Sequence, residues 1–190
     1  MMKRIIDTNV PIVANGNESE QASLECQKAC IDVMTQIFSG SIQVVLDKKW
    51  EIINEYKNKL RPDLKRGLGD QFLIWILTNY TNIKRCILVE ITKTGTDTFN
   101  EFPDDPTLTN FDPRDRKWIA VAHAHFSAYE ETVPIIEAIG HKWRKFVEAF
   151  KQHHVEVEFI CDQPTATSPT AIRPNTEKSS KRIKNDELKS

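Results

Sequence analysis

Five short apolar segments, rich in isoleucine and valine, alternate along this chain with longer segments of helical periodicity. The predicted strands cover Lys3–Ile6, Ile42–Leu46, Arg85–Ile91, Val133–Ile136 and Val155–Cys161. Such alternation is typical of an α/β domain that has a mostly parallel sheet with helices on both faces. Right-handed crossovers bring the carboxyl ends of the strands to one edge, where ligands of such domains bind. We therefore predict one α/β domain over residues 1–161, with a central, mostly parallel five-stranded sheet.

The predicted helices lie between these strands. They cover Ser19–Phe38, Lys48–Leu60, Leu68–Tyr80, Asp112–Tyr129 and His141–His153. Asp47 is the predicted N-cap of the second helix, because aspartate favours that position. Two polar stretches without clear periodicity, Ile12–Asn17 and Thr92–Phe111, are predicted to be loops.

Residues 162–190 differ in composition from the rest of the chain. They contain three prolines, many serines and threonines, and almost no large apolar side chains. Such a segment buries too little surface to offset its chain entropy, so we predict a disordered tail. A weak basic cluster within it is typical of a solvated tail more than of a nucleic-acid-binding arm. It consists of Lys178, Lys181, Arg182 and Lys184.

Charge and hydropathy exclude some classes of protein. The net charge of the 190 residues is -1, so any contact with nucleic acid must come from local basic patches. The opening residues MMKRIIDTNV lack the apolar run of a signal peptide, and no window has the apolar length of a membrane span. The expected protein is cytoplasmic and makes no membrane contact.

The four cysteines form no CxxC pair and resemble no zinc-binding motif. Cys26 and Cys30 fall on one face of a predicted helix, together with apolar residues. We therefore predict small buried thiols in a reducing cytosol, in preference to a disulfide or a metal site.

Asp7 directly follows the first apolar strand. Aspartate is common at strand exits, where its side chain closes turns, and this explanation suffices for an isolated residue. However, a carboxylate at the carboxyl end of a central strand is also well placed for catalysis. Thr8 and Asn9 are predicted to hydrogen-bond Asp7 and to hold its orientation.

Asp115 lies in the first turn of a predicted helix that begins at Asp112-Pro113. Helix capping and compensation of the helix dipole explain acids at these positions, and Asp112 is mainly such a cap. Asp115 also shares a helix face with Ile119, Ala122 and Phe126. It is therefore predicted to point inward, where a carboxylate needs a cation or a donor.

Glu55 lies among apolar residues of the predicted helix after the second strand. An exposed ion pair with Lys59 explains it equally well. Glu51 is one turn earlier on the same face and is a rival candidate. This helix alone does not identify a site.

Several blocks of the chain, taken in order, resemble the PIN-domain family of metal-dependent nucleases. The family's first strand, with its Asp-Ser/Thr-Asn motif, is similar to RIIDTNV. Its second strand and the acid-bearing helix that follows are similar to VVLDKKWEIINEYKNKL, in which Glu55 matches the acid. FDPRDRKWIAVAHAH resembles the third acidic block, in which Asp115 matches; VPIIEAIGHKW resembles the fourth block and VEVEFIC the last strand. The resemblance spans residues 3–161.

The resemblance implies an endonuclease that uses Mg²⁺ or Mn²⁺ to hydrolyse phosphodiester bonds, most often of single-stranded RNA. It implies Asp7, Glu55 and Asp115 as catalytic and metal-binding residues. Glu137 and Asp112 are additional candidate ligands. Clustered carboxylates suit such hard cations. The candidate substrate-binding residues are Thr8, Asn9, Arg114, Arg116 and Lys117, although the cations are as well explained by an ordinary charged surface.

The fourth block departs from the family pattern. The loop before Trp143 contains no carboxylate, and Glu137 at the end of the preceding strand is the only nearby substitute. A catalytically impaired PIN domain that serves as a binding module is therefore an alternative, and a DNA-cleaving relative is another.

A dehalogenase-like phosphatase is disfavoured, because Asn9 stands where that family needs a second aspartate. Many small PIN proteins are toxins, so an antitoxin or other regulatory protein, or a second copy of this chain, is an implied partner.

Overall fold

The computed structural model describes residues 1–16, 22–61, 63 and 67–161, so the predicted tail over 162–190 lies outside the described residues. The strands are β1 (Met2–Ile6), β2 (Ile42–Asp47), β3 (Cys86–Val89), β4 (Lys93–Gly95), β5 (Thr98–Phe99), β6 (Ile135–Glu137) and β7 (Val157–Phe159). The helices are α1 (Asn9–Ala14), α2 (Leu24–Ser39), α3 (Glu51–Lys59), α4 (Leu68–Asn79), α5 (Arg116–Tyr129) and α6 (Val147–Gln152).

The main sheet has five parallel strands in the order β3-β2-β1-β6-β7, which confirms the predicted α/β fold. Strands β2 and β3 are added in turn on one side of β1. The chain then crosses to the other side of β1, where it forms β6 and β7. The order therefore reverses between β1 and β6. In open parallel sheets, a crevice forms at the carboxyl ends of the strands where the order reverses.

Helices cover the sheet. Every residue of β2 is buried, which requires cover on both faces because successive side chains point to opposite sides. Helix α5 contacts β1, β2 and β3, whereas α2 contacts β2 and packs with α1 and α4. Among the described residues, none of the helices has the length and apolar character needed to cross a membrane.

Helix α1 occupies part of a stretch that was predicted to be a loop. It is only six residues long, and isolated helices of that length are unstable in water. Tertiary contacts stabilise it, since Val10 and Val13 are buried and the Oδ1 of Asn15 accepts the backbone N–H of Gly69 at 2.8 Å. The loop prediction was wrong because these contacts are distant in sequence.

Helix α3 is fixed at its beginning and in its middle. The Asp47 carboxylate accepts the N–H groups of Lys49, Glu51 and Ile52, all at 2.9 Å, although the residue immediately before the helix is Trp50. The buried Tyr56 hydroxyl donates to the carbonyl of Ile6 at 2.5 Å. This bond holds α3 against the last residue of β1.

The region between β3 and α5, predicted to be a loop, contains a hairpin and an aromatic cluster. Strands β4 and β5 pair antiparallel, with Asp97 in the left-handed conformation at the turn. The buried Phe111 lies 5.2–5.3 Å from the rings of Trp143, Phe146 and Phe150. These aromatic contacts hold the segment before α5 against the segment around α6.

A disulfide joins Cys26 of α2 to Cys161, which follows β7. The prediction that all the cysteines are reduced thiols was therefore wrong for this pair. The two cysteines are 135 positions apart in the sequence, and nothing local indicated their proximity. Cys30 and Cys86 are free and buried, as predicted.

Replacing Phe111 by alanine should lower the free energy of unfolding by about 3–5 kcal/mol, because it leaves a cavity in the aromatic cluster. Urea denaturation measures this change. Ile83→Ala is the control, since Ile83 is 83% exposed and its truncation should change stability by less than about 0.5 kcal/mol. Equal effects of the two changes would contradict the assigned role of Phe111.

Candidate active site

A crevice of about 690 Å³ lies at the carboxyl edge of the sheet, beside the reversal of strand order. Asp7, directly after β1, lines it together with Glu55 of α3 and Asp115 before α5. The structure thus brings the three predicted carboxylates to one cavity, from segments far apart in the sequence. A second cavity of about 410 Å³ adjoins it and shares Asp112, Asp115, Lys142 and Trp143.

Asp7 is almost completely buried, with 4% of its surface exposed. Its Oδ1 accepts the backbone N–H of Asn9 at 2.9 Å, which is the turn interaction expected of an aspartate at a strand exit. Burial raises the pKa of Asp7 well above its ordinary value, and the charges of Glu137, Asp115 and Glu55 raise it further. Among the described residues, no Lys, Arg or His side chain forms a salt bridge with this carboxylate.

Glu137, the last residue of β6, is completely buried behind the crevice and does not line it. Its Oε1 accepts the Asn9 side-chain amide at 3.0 Å, and its other oxygen accepts the backbone N–H of Gly140. Burial raises the pKa of Glu137, while these donors and the neighbouring backbone amides lower it. Glu137 thus joins the turn after β1 to the loop after β6.

Gly140 makes this arrangement sterically possible. A Cβ at position 140 would lie 2.1 Å from a Glu137 carboxylate oxygen, far inside van der Waals contact. The loop over 138–140 therefore wraps closely around the carboxylate of Glu137.

Glu55 is held between a hydroxyl and an ammonium group. The Thr8 hydroxyl donates to its Oε1 at 3.0 Å, and the Lys117 Nζ lies 2.5 Å from its Oε2. Lys117 is only 7% exposed, and it also donates to the carbonyl of Arg114. The alternative explanation of Glu55, an exposed pair with Lys59, is thus replaced by a partly buried pair with Lys117, while the rival Glu51 pairs with Lys93 at 2.9 Å.

Asp115 directly precedes α5, but its side chain makes no capping hydrogen bond. Its Oδ2 instead accepts the indole N–H of Trp143 at 3.0 Å. Burial raises the pKa of Asp115, and the charges of Asp112 and Glu55 add to the effect, whereas Trp143 and Lys117 oppose it. The capping explanation therefore fails for Asp115, which faces the crevice.

The other predicted residues have separate roles. The Asp112 carboxylate caps the turn before α5 by accepting the N–H of Arg114 at 3.1 Å, and it forms an ion pair with the exposed Arg114 side chain at 2.8 Å. The Arg116 guanidinium lies 5.0 Å from the ring centre of Phe102 and does not line the crevice. Lys142 is exposed at the rim of both cavities.

The carboxylates share a cavity without converging at ligand distance. Among the described residues, no three Asp, Glu or His side chains place their ligand atoms within 4.8 Å of one another. Among the described residues, six acids line the crevice (Asp7, Glu51, Glu55, Asp97, Asp112 and Asp115), together with four cationic side chains (Lys59, Arg114, Lys117 and Lys142). When all of these groups are ionised, the lining has a net negative charge, although its carboxylates are not spaced as in a closed metal cage.

Sequence reasoning identified one hydrogen-bond partner of these acids and missed the others. Asn9 was predicted to hold Asp7 and does so through its backbone N–H, whereas the Thr8 hydroxyl bonds Glu55 and the Asn9 side chain bonds Glu137. The roles of Lys117 and of the Trp143 indole were not anticipated either. These pairings depend on the strand order, which no local pattern in the sequence contains.

Comparisons with known proteins give no relative: no family model, curated protein or solved structure matches this chain. The functional assignment therefore depends on the residues and geometry of the crevice.

Asp7→Asn should stabilise the metal-free protein at neutral pH. Because the pKa of Asp7 is raised in the folded state, its ionised form destabilises the fold above the unfolded pKa of about 3.9. Below that pH the carboxyl group is protonated in both states, so the advantage of asparagine should disappear. Urea denaturation in chelator at pH 7 and at about pH 3 measures both predictions.

Asp104→Asn is the control, since Asp104 is exposed and lies outside the crevice. It should not stabilise the protein at either pH. An Asp7→Asn variant less stable than the wild type at pH 7 would show that the carboxylate is compensated after all.

Proposed function

We propose that this chain is a metal-dependent endonuclease of the PIN-domain type, which hydrolyses phosphodiester bonds of single-stranded RNA. The observation that carries the proposal is the meeting of Asp7, Glu55 and Asp115 in one crevice beside the central strand. Three acids from separate segments meet there, with Asp7 buried and Glu55 and Asp115 partly exposed, and their repulsion is unfavourable unless a cation or a catalytic role compensates it.

The donor set suits Mg²⁺ or Mn²⁺, because both ions prefer carboxylate oxygens. Asp7 and Asp115 fit best, since both line the crevice, and neither has a basic partner within salt-bridge distance in the part of the chain that the structure describes. Glu55 is a ligand only when its ion pair with Lys117 opens or lengthens. Asp112 and Glu137 are outer groups, since one caps a turn and the other lies behind the crevice. A bound dication would lower the pKa of its water and stabilise charge on the scissile phosphate.

The chain's own residues would bind and orient the substrate. Trp143 fixes the direction of the Asp115 carboxylate, and the backbone of Asn9 fixes that of Asp7. Lys142 at the rim, and Lys145 in the adjoining cavity, are placed to bind backbone phosphates. Arg114 also lines the crevice, but it must leave Asp112 to serve this purpose. The packing of Arg116 on Phe102 makes that residue a poor phosphate ligand.

A binding module built on the same fold is the second candidate. Two observations favour it: Lys117 neutralises Glu55, and the carboxylates do not converge at ligand distance. A module of this kind would bind RNA through the rim cations without cleaving it. A DNA substrate is a further variant of the first proposal, because the same metal chemistry cleaves both nucleic acids.

A cytoplasmic location, an antitoxin or other regulatory partner and a homodimer are further parts of the proposal that derive from the family resemblance. The disulfide between Cys26 and Cys161 weighs against a permanently reducing environment, because disulfides persist mainly in oxidising compartments.

Cleavage assays with single-stranded RNA, single-stranded DNA and duplex DNA test the proposal directly. The wild type should cleave single-stranded RNA with Mg²⁺ or Mn²⁺ and should lose activity in chelator. Asp7→Asn and Asp115→Asn should each lower the rate by on the order of 100-fold or more, because several kcal/mol of charge stabilisation are lost. Asp104→Asn should retain full activity.

Two outcomes would overturn the nuclease proposal. Wild-type cleavage with full activity in Asp7→Asn would remove Asp7 from the mechanism. Metal-independent RNA binding by the wild type, with no cleavage of any substrate, would establish the binding module instead.

Glu137→Gln separates a metal ligand from a positioning residue. Glutamine retains the oxygen that faces Asn9 but loses the charge, so we expect the rate to fall by roughly tenfold, as for groups that orient ligands. If Glu137 only positions its neighbours, the metal concentration for half-maximal activity should be unchanged. An increase in that concentration would instead make Glu137 a ligand.

A further inference from the structure

A second cluster of potential metal ligands lies outside the crevice and consists of sulfur atoms. The Sγ atoms of Cys26, Cys30 and Cys161 all lie within 4.8 Å of one another, and all three residues are buried. Within the described parts of the chain, no other group of three His, Cys, Asp or Glu side chains meets this spacing.

The fold brings the three sulfurs together from two elements. Cys26 and Cys30 are four residues apart in α2, so they lie one turn apart on the same buried face. Cys161 follows β7, the edge strand of the sheet, and its Cα lies 4.8 Å from that of Cys26. Cys30 is a free thiol beside the disulfide that joins the other two.

We propose that the reduced form of this cluster binds a thiophilic cation of the Zn²⁺ and Cd²⁺ class, and that the disulfide prevents this binding. Thiolate ligands select such soft ions. A zinc–sulfur bond of about 2.3 Å allows two sulfurs on one ion to be at most about 4.6 Å apart, and about 3.8 Å in a tetrahedron. The widest separation must therefore shorten by about an ångström to reach the tetrahedral value, and the Cys26 and Cys161 sulfurs must move apart once their bond is reduced.

The proposed ligand set has three thiolates and one open position. Cys26 and Cys161 are 5% and 6% exposed and Cys30 is completely buried, so a water molecule would enter from the side of Cys26 and Cys161. Three protein ligands with one exchangeable water match the ligand number of open zinc sites.

Opening the disulfide requires a reductant, and a dithiol supplies it. One thiolate of the dithiol attacks a cysteine sulfur, a mixed disulfide forms, and the second thiolate releases the protein thiol. The protein gains two electrons and two protons, and the dithiol becomes a disulfide. Metal binding then displaces the thiol protons into solvent. The same side chains therefore form a covalent tether between α2 and β7 when oxidised and a metal site when reduced.

Cadmium titration of the full chain tests this inference. One sample is reduced with a dithiol and desalted without oxygen, and the other is kept oxidised. The reduced wild type should bind one Cd²⁺ per chain, with sulfur-to-cadmium absorption in the ultraviolet, and the oxidised wild type should show none. Native mass spectrometry gives the stoichiometry, and Zn²⁺ should compete for the same site.

Three variants make the test specific. Cys30→Ser keeps the Cys26–Cys161 pair and should weaken cadmium binding at least about tenfold. Cys86→Ser removes the other buried free thiol, which lies in β3, and should leave the binding unchanged. Asp7→Asn should also retain it, which separates this site from the carboxylate crevice and makes the result independent of nuclease activity.

Cadmium absorption in the oxidised wild type, or undiminished binding in reduced Cys30→Ser, would overturn the proposal. Equal losses in Cys30→Ser and Cys86→Ser would do the same. If reduction alone unfolds the protein, as measured by circular dichroism, Cd²⁺ must restore the native spectrum. Failure to restore it would also count against the site.

Discussion

The reversal of strand order beside β1 is the constraint on which the candidate site depends. It makes β1 central, and it separates the connection after β1 from the connection after β6. Asp7 lies at the start of the first of these, and Glu137 lies at the start of the second. The side chain of Asn9 spans the gap by donating to Glu137, while its backbone N–H donates to Asp7. Tyr56 then attaches α3 to the end of β1, so Glu55 reaches the same edge.

Electrostatics determines how these acids are arranged. Removing carboxylates from water is costly, and placing them beside one another adds repulsion, as the raised pKa of Asp7 shows. Backbone and side-chain donors reduce this cost at Glu137, and an ion pair with Lys117 reduces it at Glu55. Asp7 and Asp115 receive the least compensation, since among the described residues each side chain accepts one hydrogen bond and neither has a basic partner within salt-bridge distance. The proposed metal is thus assigned to the two acids that the protein itself neutralises least.

Much of the fold could be predicted from the sequence, because the periodicity of apolar residues and the composition of each segment can be observed locally. The alternation of strands and helices indicated the parallel sheet. The position of Asp7 after the first apolar strand indicated that this residue lies at the carboxyl edge of the sheet. What failed depends on contacts between distant residues. Helix α1 is too short to form without the side chains around it, and the disulfide joins residues 135 positions apart in the sequence. The ion pair of Glu55 with Lys117 was not foreseen for the same reason, since Lys59, the alternative partner, is near in sequence whereas Lys117 is near in space.

The two proposed ligand sets differ in a way that would keep them from competing. The crevice offers carboxylate oxygens, which suit hard cations, whereas the cluster of Cys26, Cys30 and Cys161 offers sulfur. Burial raises the pKa of Cys30 to about 12, and the charge of Glu137 contributes, so this acid behind the crevice acts electrostatically on the thiol. The negative charge that disfavours a thiolate also favours a bound cation. A thiophilic ion would therefore occupy the sulfur site in preference to the crevice, which would remain available to Mg²⁺ or Mn²⁺.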